Sequence, residues 1–399
     1  MNLKAFIGPT ALCLAAIASD CDSSNPASGS SEWNGRITSP CYALVNGVII
    51  DGTGAAPVQN GGVVIRGDRI LAVGSRHQLP IPSDAEVVDV HGAAILPGFI
   101  NAHVHAAYDE TRLKTWAWHG VTTVRDEGIL SGVTLDAALA LRDSLRQKPE
   151  CARLISAGLM ITVPGGYGSL TVVSPADARQ KVLEELDKGV DLVKFSQEDG
   201  YAGRHDLPKL TGEEMAAIVG AAHERGRTVS AHITQSLYWE VVVQAGVDDV
   251  AHVAYDPVSD NVLEVMVTEH ILLVPTFTIF RNFNAPVGGC INNVRRFVLK
   301  GGAVALGNDF AGGPGEFDDG IPFYELNCML DAGMTTMEVI VASTRNAARA
   351  ANVDTVLGTV EAGKQADLMV VMGDPLQSLS LLSNPGLVIH AGVNIRYGN

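Results

Sequence analysis

The sequence predicts an α/β protein in which a (β/α)8 TIM barrel is joined to a small β-sandwich domain. From Pro97 onward, short apolar runs alternate with longer segments of helical periodicity. The segments on either side of this region read as short strands separated by turns. A doubly wound open sheet is the alternative for the central region, but eight strand–helix units favour a closed barrel.

The barrel prediction depends on short runs of apolar and β-branched residues. The eight candidate strands are Phe99–His103, Thr122–Asp126, Arg153–Ala157, Leu192–Phe195, Thr228–His232, Asp249–Val253, Leu272–Thr276 and Val304–Gly307. The intervening periodicity predicts helices at Leu135–Arg146, Pro175–Lys188, Gly212–Arg225 and Val262–His270, with a further helix at Thr336–Ala351.

The strand-rich ends of the chain are expected to pair with each other, because neither end alone would cover its open sheet edges. This pairing divides the chain into three parts. Residues 1–35 are predicted to be a signal peptide and flexible linker, residues 36–97 with 354–399 a composite β-sandwich domain, and residues 98–353 the catalytic barrel.

The N-terminal segment has the pattern of an export signal. Lys4 precedes an apolar run from Ala5 to Ala18, which is too short to span a membrane, and Ala16-Ile17-Ala18 offers a small-residue cleavage site. We therefore expect a periplasmic or secreted protein, or a cytoplasmic one if the run is not a signal. Elsewhere the sequence contains no apolar segment long enough to predict a stable membrane span.

The overall charge argues against polyanionic partners. The chain carries 28 basic and 44 acidic residues, a formal net charge of −16. Binding to nucleic acid or to an anionic membrane surface would therefore be electrostatically unfavourable. A small-molecule substrate is the expected partner, and the sequence leaves a homo-oligomer open.

Polar residues occur at the same end of several predicted barrel strands, the end at which such barrels build their sites. They are His103 and His105 on strand one, Lys194 on strand four, His232 on strand five, His252 on strand six and Asp309 after strand eight. Residues two apart on a strand point to one face, so His103 and His105 can converge. Imidazole and carboxylate ligands suit Zn²⁺, with manganese, iron or nickel as alternatives, and one or two ions per chain.

Lys194 fits such a site only in a modified or neutral form, because a metal ion repels an ammonium group. Carboxylation by carbon dioxide would turn the side chain into an anionic carbamate that can bridge two ions. The alternative is an ordinary lysine paired with a nearby carboxylate such as Glu198 or Asp199.

These segments resemble the amidohydrolase superfamily. The run from Ile95 to His105, Ile-Leu-Pro-Gly-Phe-Ile-Asn-Ala-His-Val-His, is similar to the family's strand-one signature, and the later ligand segments follow in order. Gly358–Asp367 resembles its C-terminal Gly-x-x-Ala-Asp element. Within the superfamily, the chain is most similar to the imidazolonepropionase-like, metal-dependent dipeptidase (prolidase-like) group.

The resemblance implies a role for each residue. It implies one ion on His103, His105 and Asp309, and a second on His232 and His252. Carboxylated Lys194 and a hydroxide would bridge the ions, and the hydroxide would attack the substrate carbonyl. Asp309 would act as the catalytic base and then return the proton to the leaving nitrogen.

The resemblance identifies fewer substrate-binding residues than metal ligands. Many members of the group have a Gly-Gly-His segment after strand three, whereas this chain has Gly165-Gly166-Tyr167. Tyr167 and Tyr238 are the substrate-binding candidates, although Tyr238 could instead pack with Trp239. A phenol can donate a hydrogen bond but cannot act as a base at neutral pH, so Tyr167 cannot supply a basic role of that histidine.

The resulting hypothesis is a metal-dependent hydrolase that cleaves an amide-type C–N bond, as in a dipeptide, an N-acyl amino acid or a cyclic amide. A lactone or ester hydrolase and a deaminase are alternatives on the same scaffold. Deaminases of this architecture usually carry a glutamate after the strand-five histidine, and here His232 is followed by Ile-Thr-Gln. A catalytically inactive barrel that acts as a binding protein is the alternative of another class.

Overall fold

The computed structural model describes residues 37–129, 132–200, 205–283, 285–311 and 320–396. The segment from Lys4 to Ala18, on which the export prediction depends, lies outside these residues. Within the described part of the chain, no helix is both long and apolar enough to cross a membrane.

The described residues form an α/β structure. Its strands are β1 (Cys41–Ile49), β2 (Val58–Arg66), β3 (Arg69–Ser75), β4 (Glu86–Asp89), β5 (Ala94–Pro97), β6 (Phe99–Val104), β7 (Val121–Asp126), β8 (Arg153–Ser156), β9 (Ile161–Thr162), β10 (Leu170–Thr171), β11 (Val193–Ser196), β12 (Val229–His232), β13 (Asp249–Ala251), β14 (Leu272–Val274), β15 (Leu368–Val371), β16 (Leu387–His390) and β17 (Val393–Arg396). Its α-helices are α1 (Glu110–Trp118), α2 (Leu135–Leu145), α3 (Pro175–Lys188), α4 (Gly212–Glu224), α5 (Trp239–Gln244), α6 (Asp260–Thr268), α7 (Phe277–Asn282), α8 (Val287–Leu299), α9 (Phe323–Asp331), α10 (Thr336–Val341) and α11 (Ala347–Ala350).

The strands from the two ends of the chain share one sheet. Among the described residues it has eight strands, with β15 pairing antiparallel to β5 and so joining the C-terminal strands to the N-terminal ones. Hydrogen bonds join these strands in one continuous sheet, in which β1 pairs with β4 through residues 42–45 and with β5 through residues 48–49. The sandwich arrangement of this sheet stays a prediction. The domain boundaries themselves stay a prediction.

The strands predicted for the barrel form two parallel sheets among the described residues, a six-stranded sheet containing β11 to β14 and a three-stranded sheet of β6 to β8. The segment predicted as the eighth strand lies between them. Ala305 donates its N–H to the carbonyl of Leu273 on β14 at 2.9 Å, and Ala102 on β6 donates to Leu306 at 2.7 Å. Gly307 permits this approach, since a Cβ there would lie 2.7 Å from Cβ of His103.

Several helices follow the predicted bounds because their end signals are local. Helix α3 matches the prediction at both ends: the side chain of Ser174 caps its first turn, and Gly189 ends it with a left-handed φ of 101°. The predicted helix at Thr336–Ala351 is interrupted. Residues Ala342–Asn346 form a π-helical segment between α10 and α11.

Candidate metal centre

The residues singled out on the strands lie at the carboxyl ends of the parallel sheets. His232 is the last residue of β12 and is paired in register with Ser196, so Lys194 lies two residues deeper on β11. Two residues of a strand span about 6.6 Å. The lysine side chain covers that distance, which explains how Lys194, only 1% exposed, approaches the same cluster.

Asp309 connects the two histidines at the end of strand β6, His103 within the strand and His105 just after it. Its Oδ1 lies 3.3 Å from Nε2 of His103 and 3.3 Å from Nε2 of His105. The backbone of Asp309 has a φ of 54°, the left-handed region that a non-glycine residue seldom adopts. Such conformations concentrate at functional sites, and this one directs the carboxylate at both rings.

The other two histidines extend the cluster. Nε2 of His252 lies 2.8 Å from Nδ1 of His232, and Nδ1 of His252 lies 3.8 Å from Oδ2 of Asp309. One ligand atom each from His103, His252 and Asp309 all lie within 4.8 Å of one another. The structure therefore brings the four histidines and the aspartate together, although the division into two ligand sets stays a prediction.

Burial keeps most of these imidazoles neutral. It lowers the pKa of His103 to about 3, with the charge of Lys194 acting in the same direction. Burial also lowers the pKa of His232, and that of His252 falls well below its usual value. Burial would raise the pKa of Asp309, but the neighbouring imidazoles hold it well below its usual range. Neutral imidazoles beside a carboxylate are the protonation states that a divalent ion requires.

The donor set fits a divalent transition metal. Nδ1 of His103 is buried and has no hydrogen-bond partner among the described residues. Nδ1 of His105 lies 2.9 Å from the carbonyl oxygen of Gly128, which leaves its Nε2 directed at Asp309. Clustered nitrogen donors with a carboxylate are ligands that suit zinc and its neighbours in the transition series.

Lys194 contacts a carboxylate that was not among the candidate site residues. Its Nζ lies 3.3 Å from Oε2 of Glu127 and 3.3 Å from Nε2 of His103. The alternative partners Glu198 and Asp199 were therefore wrong: Glu198 contacts His232, and Asp199 contacts Lys209. The reason is geometric, because Lys194 points inward while these later residues lie past the end of β11.

The position of Glu127 near the candidate ligands could have been predicted from the sequence. It directly follows β7 and so lies at the same end of its strand as the predicted ligands. Its side chain is fully buried, and Oε1 lies 2.7 Å from Nε of Arg125. Arg125 in turn donates to both carboxylate oxygens of Asp249, at 2.7 and 3.1 Å. Lys194 is therefore joined through Glu127 to a buried network of charged side chains.

Two further polar contacts surround the histidines. Nε2 of His232 lies 3.1 Å from Oε2 of Glu198, and Nδ1 of His252 lies 2.6 Å from the hydroxyl of Thr276. Partners of this kind orient metal-binding imidazoles and fix their tautomers. Their spacing from the histidines in the sequence gives no local signal that could have identified them.

The two tyrosine candidates lie in different surroundings. The ring of Tyr167 stands over that of His232, with 4.8 Å between centroids. The hydroxyl of Tyr238 instead donates to Asp199 at 3.0 Å, and Nζ of Lys209 lies 4.9 Å from its ring centre. The structure thus places Tyr167 against a candidate ligand and Tyr238 in a neighbouring polar group.

The chain is similar to a known protein family and to several known proteins. The model of the amidohydrolase family matches residues 94–394. The chain is 25% identical to an ochratoxinase of Aspergillus niger, over 86% of this chain and 84% of that protein. It is 26% identical to an imidazolonepropionase of Clostridium tetani, over 79% of this chain and 84% of that protein. The crystal structure of a Xaa-Pro dipeptidase with methionine in its active site has a TM-score of 0.77 at 22% identity, covering 90% of this chain and all of that one, a likeness of fold.

Proposed function

The chain belongs to the amidohydrolase family of metal-dependent enzymes and hydrolyses amide-type C–N bonds, and we propose that His103, His105, His232, His252 and Asp309 form its metal centre. The observation that carries the proposal is the convergence of His103, His252 and Asp309 within 4.8 Å. These three residues come from separate strands and loops, so their approach has no local cause in the sequence.

The proposed ion is Zn²⁺, with one or two per chain. Three-nitrogen or mixed nitrogen and oxygen ligand sets are typical of catalytic zinc. When bound, such an ion polarises a carbonyl and lowers the pKa of water to about 7. The chain supplies two groups of donors for it: the imidazoles of His103 and His105 with Asp309, and those of His232 and His252.

Asp309 is proposed to move the proton. Its low pKa leaves the carboxylate ionised at neutral pH, the form that accepts a proton from an attacking water. The same side chain can then donate that proton to the departing nitrogen. It is mostly buried, with 11% of the side chain exposed, so bulk water has little access to it.

Lys194 is proposed to be carboxylated and to bridge two ions. Its Nζ lies within 3.3 Å of Nε2 of His103, which supports a place in the ligand set. The competing arrangement is the ion pair with Glu127. Protein prepared in ¹³C-bicarbonate with metal decides between them: a carbamate resonance that is missing from Lys194→Ala supports the bridge, and its absence from the unmodified chain contradicts it.

The proposed substrate is a small amide, such as a dipeptide, an N-acyl amino acid or a cyclic amide. Tyr167 stands over His232. Its phenol can donate a hydrogen bond to a substrate oxygen, and we propose it as the substrate-binding residue with Tyr238 as the second candidate.

The wider architecture is also proposed. The two parallel sheets would form one closed barrel, supported by the hydrogen bonds of Ala102 and Ala305 and by the N–H of Asp191, which donates to the carbonyl of Ser156 at 2.8 Å.

Export is proposed from the apolar segment Ala5–Ala18 and is tested by N-terminal sequencing of the secreted protein. Association into a homo-oligomer is tested by light scattering.

The central experiment combines metal analysis with a substrate screen. Purified chain is expected to contain a divalent transition metal, to lose activity on chelation and to regain it with Zn²⁺. Dipeptides, N-acyl amino acids, cyclic amides, lactones and amino-heterocycles are then compared. His103→Ala is the matched variant, and it should contain less metal. A metal-free protein that hydrolyses amides, or ammonia release without amide cleavage, would overturn the proposal.

A further inference from the structure

His232 is held between two partners on opposite sides of its ring. Its Nδ1 lies 2.8 Å from Nε2 of His252, on the side of the metal centre, while its Nε2 lies 3.1 Å from Oε2 of Glu198. Both residues are buried, with 3% of Glu198 and 8% of His232 exposed. One ring nitrogen therefore faces the proposed ion and the other faces a carboxylate.

Glu198 accepts hydrogen bonds from two further groups. Its Oε2 also accepts a hydrogen bond from the hydroxyl of Thr234 at 2.7 Å, and its Oε1 accepts from the N–H of Gly200 at 3.0 Å. An ionised carboxylate has no proton to donate. The contact with His232 is therefore a hydrogen bond only when Nε2 of the imidazole carries the hydrogen.

We propose that Glu198 is a positioning residue that holds His232 in the tautomer protonated at Nε2, leaving the lone pair of Nδ1 for the ion. The inference rests on the proposed metal centre. A neutral imidazole has one nitrogen with a free lone pair, so the tautomer decides which nitrogen can ligate. A carboxylate on the far nitrogen also raises the basicity of the ligating one.

The neighbouring histidines show why the carboxylate matters. His105 has the opposite arrangement, since the carbonyl of Gly128 at 2.9 Å accepts from Nδ1 and so leaves the lone pair on Nε2, the nitrogen that faces Asp309. The partner of His252 is the hydroxyl of Thr276, which can donate or accept and so does not decide a tautomer. The cluster therefore uses different nitrogens of its histidines, and at His232 Glu198 sets the choice.

The test compares Glu198→Leu, Glu198→Gln and the control Thr234→Val. Leucine removes the acceptor, glutamine keeps an acceptor oxygen, and Thr234→Val removes another bond to the same oxygen without changing the contact to His232. Metal-free protein is titrated with Zn²⁺ against a chromophoric chelator. We expect Glu198→Leu to weaken binding about 10- to 100-fold, Glu198→Gln to weaken it less, and Thr234→Val to keep the affinity of the unmodified chain.

A second measurement reports the tautomer directly. In metal-free protein with ¹³C-labelled histidine, the Cδ2 resonance of His232 is identified by its loss in His232→Ala, and its shift distinguishes the two tautomers. The resonance should move in Glu198→Leu and stay in Glu198→Gln. Circular dichroism of each metal-free variant checks the fold, and Glu198→Gln keeps the test valid if leucine disturbs it.

The outcomes separate this inference from the proposed function. If the unmodified chain binds no Zn²⁺, the metal centre itself is refuted. If it binds and Glu198→Leu binds equally well, or if the tautomer does not change, only the role of Glu198 is refuted. Loss of a whole ion in Glu198→Gln, with the tautomer unchanged, would make Glu198 a ligand and would also overturn the inference.

Discussion

The buried guanidinium of Arg125 gives the sharpest prediction about stability. It is fully buried, and it contacts Asp249 through two hydrogen bonds of 2.7 and 3.1 Å, Glu127 at 2.7 Å and the carbonyl of Ala350 at 2.7 Å. Arg125→Met keeps an unbranched apolar chain but leaves the buried carboxylate of Asp249 without its cation and that of Glu127 with only Lys194. Removing one partner of a buried ion pair costs about 3–5 kcal/mol, a large part of a total stability of about 5–15 kcal/mol.

The pH dependence of this loss follows from the same geometry. Burial already raises the pKa of Asp249 with Arg125 present. Without Arg125 the pKa rises further, so the folded state binds a proton more tightly than the unfolded state. The deficit is therefore largest at neutral pH and shrinks as the pH falls through the raised pKa.

Urea unfolding followed by tryptophan fluorescence measures the effect, because Trp116 and Trp239 are buried. The matched control is Arg66→Met. Arg66 also makes two bonds to one carboxylate, at 3.0 and 2.9 Å to Asp84, but both side chains are exposed. We expect no measurable shift for the control. An Arg125→Met midpoint equal to that of the unmodified chain at pH 7, or a deficit that grows on acidification, would refute the reasoning.

Three further predictions concern the site. Asp309→Asn should lower kcat about 10²- to 10⁴-fold, because the amide cannot carry the proton, and a kcat within threefold of the unmodified enzyme would exclude that role. Lys194→Ala should lower bound metal toward one ion per chain and nearly abolish activity, whereas an unchanged two-ion content by elemental analysis would show that the lysine does not bridge. Tyr167→Phe should raise KM roughly 2- to 10-fold, the effect of about one lost hydrogen bond, and should leave kcat unchanged. Tyr238→Phe should change KM less, because the hydroxyl of Tyr238 donates to Asp199. A larger KM effect for Tyr238→Phe would exchange the roles of the two tyrosines.

The predictable parts of this protein depend on local signals. The bounds of α3 follow from Ser174, Pro175 and Gly189, all of which act within one helical turn of the helix ends. The shared face of His103 and His105 was also predictable from local signals, since side chains alternate between the two faces of a strand. The rim position of the candidate ligands then follows from the rule that parallel strands align their carboxyl ends.

The predictions that were wrong concern contacts between segments that are distant in the sequence, or interruptions that have no local signal. Lys194 was given the partners nearest in sequence, whereas its carboxylate partner is Glu127 on another strand. The π-helical interruption at Ala342–Asn346 likewise has no signal in the helical periodicity of that segment.

The sequence by itself therefore determined which side chains reach the carboxyl ends of the parallel strands, because strand periodicity depends on neighbouring residues along the chain. Only the tertiary structure decided which of them touch. The register that sets Lys194 two residues below His232, and the loop that brings Glu198 to the far side of the His232 ring, depend on packing between segments. Contacts of that kind arise from summed packing energies over the whole core, which no single segment of the sequence contains.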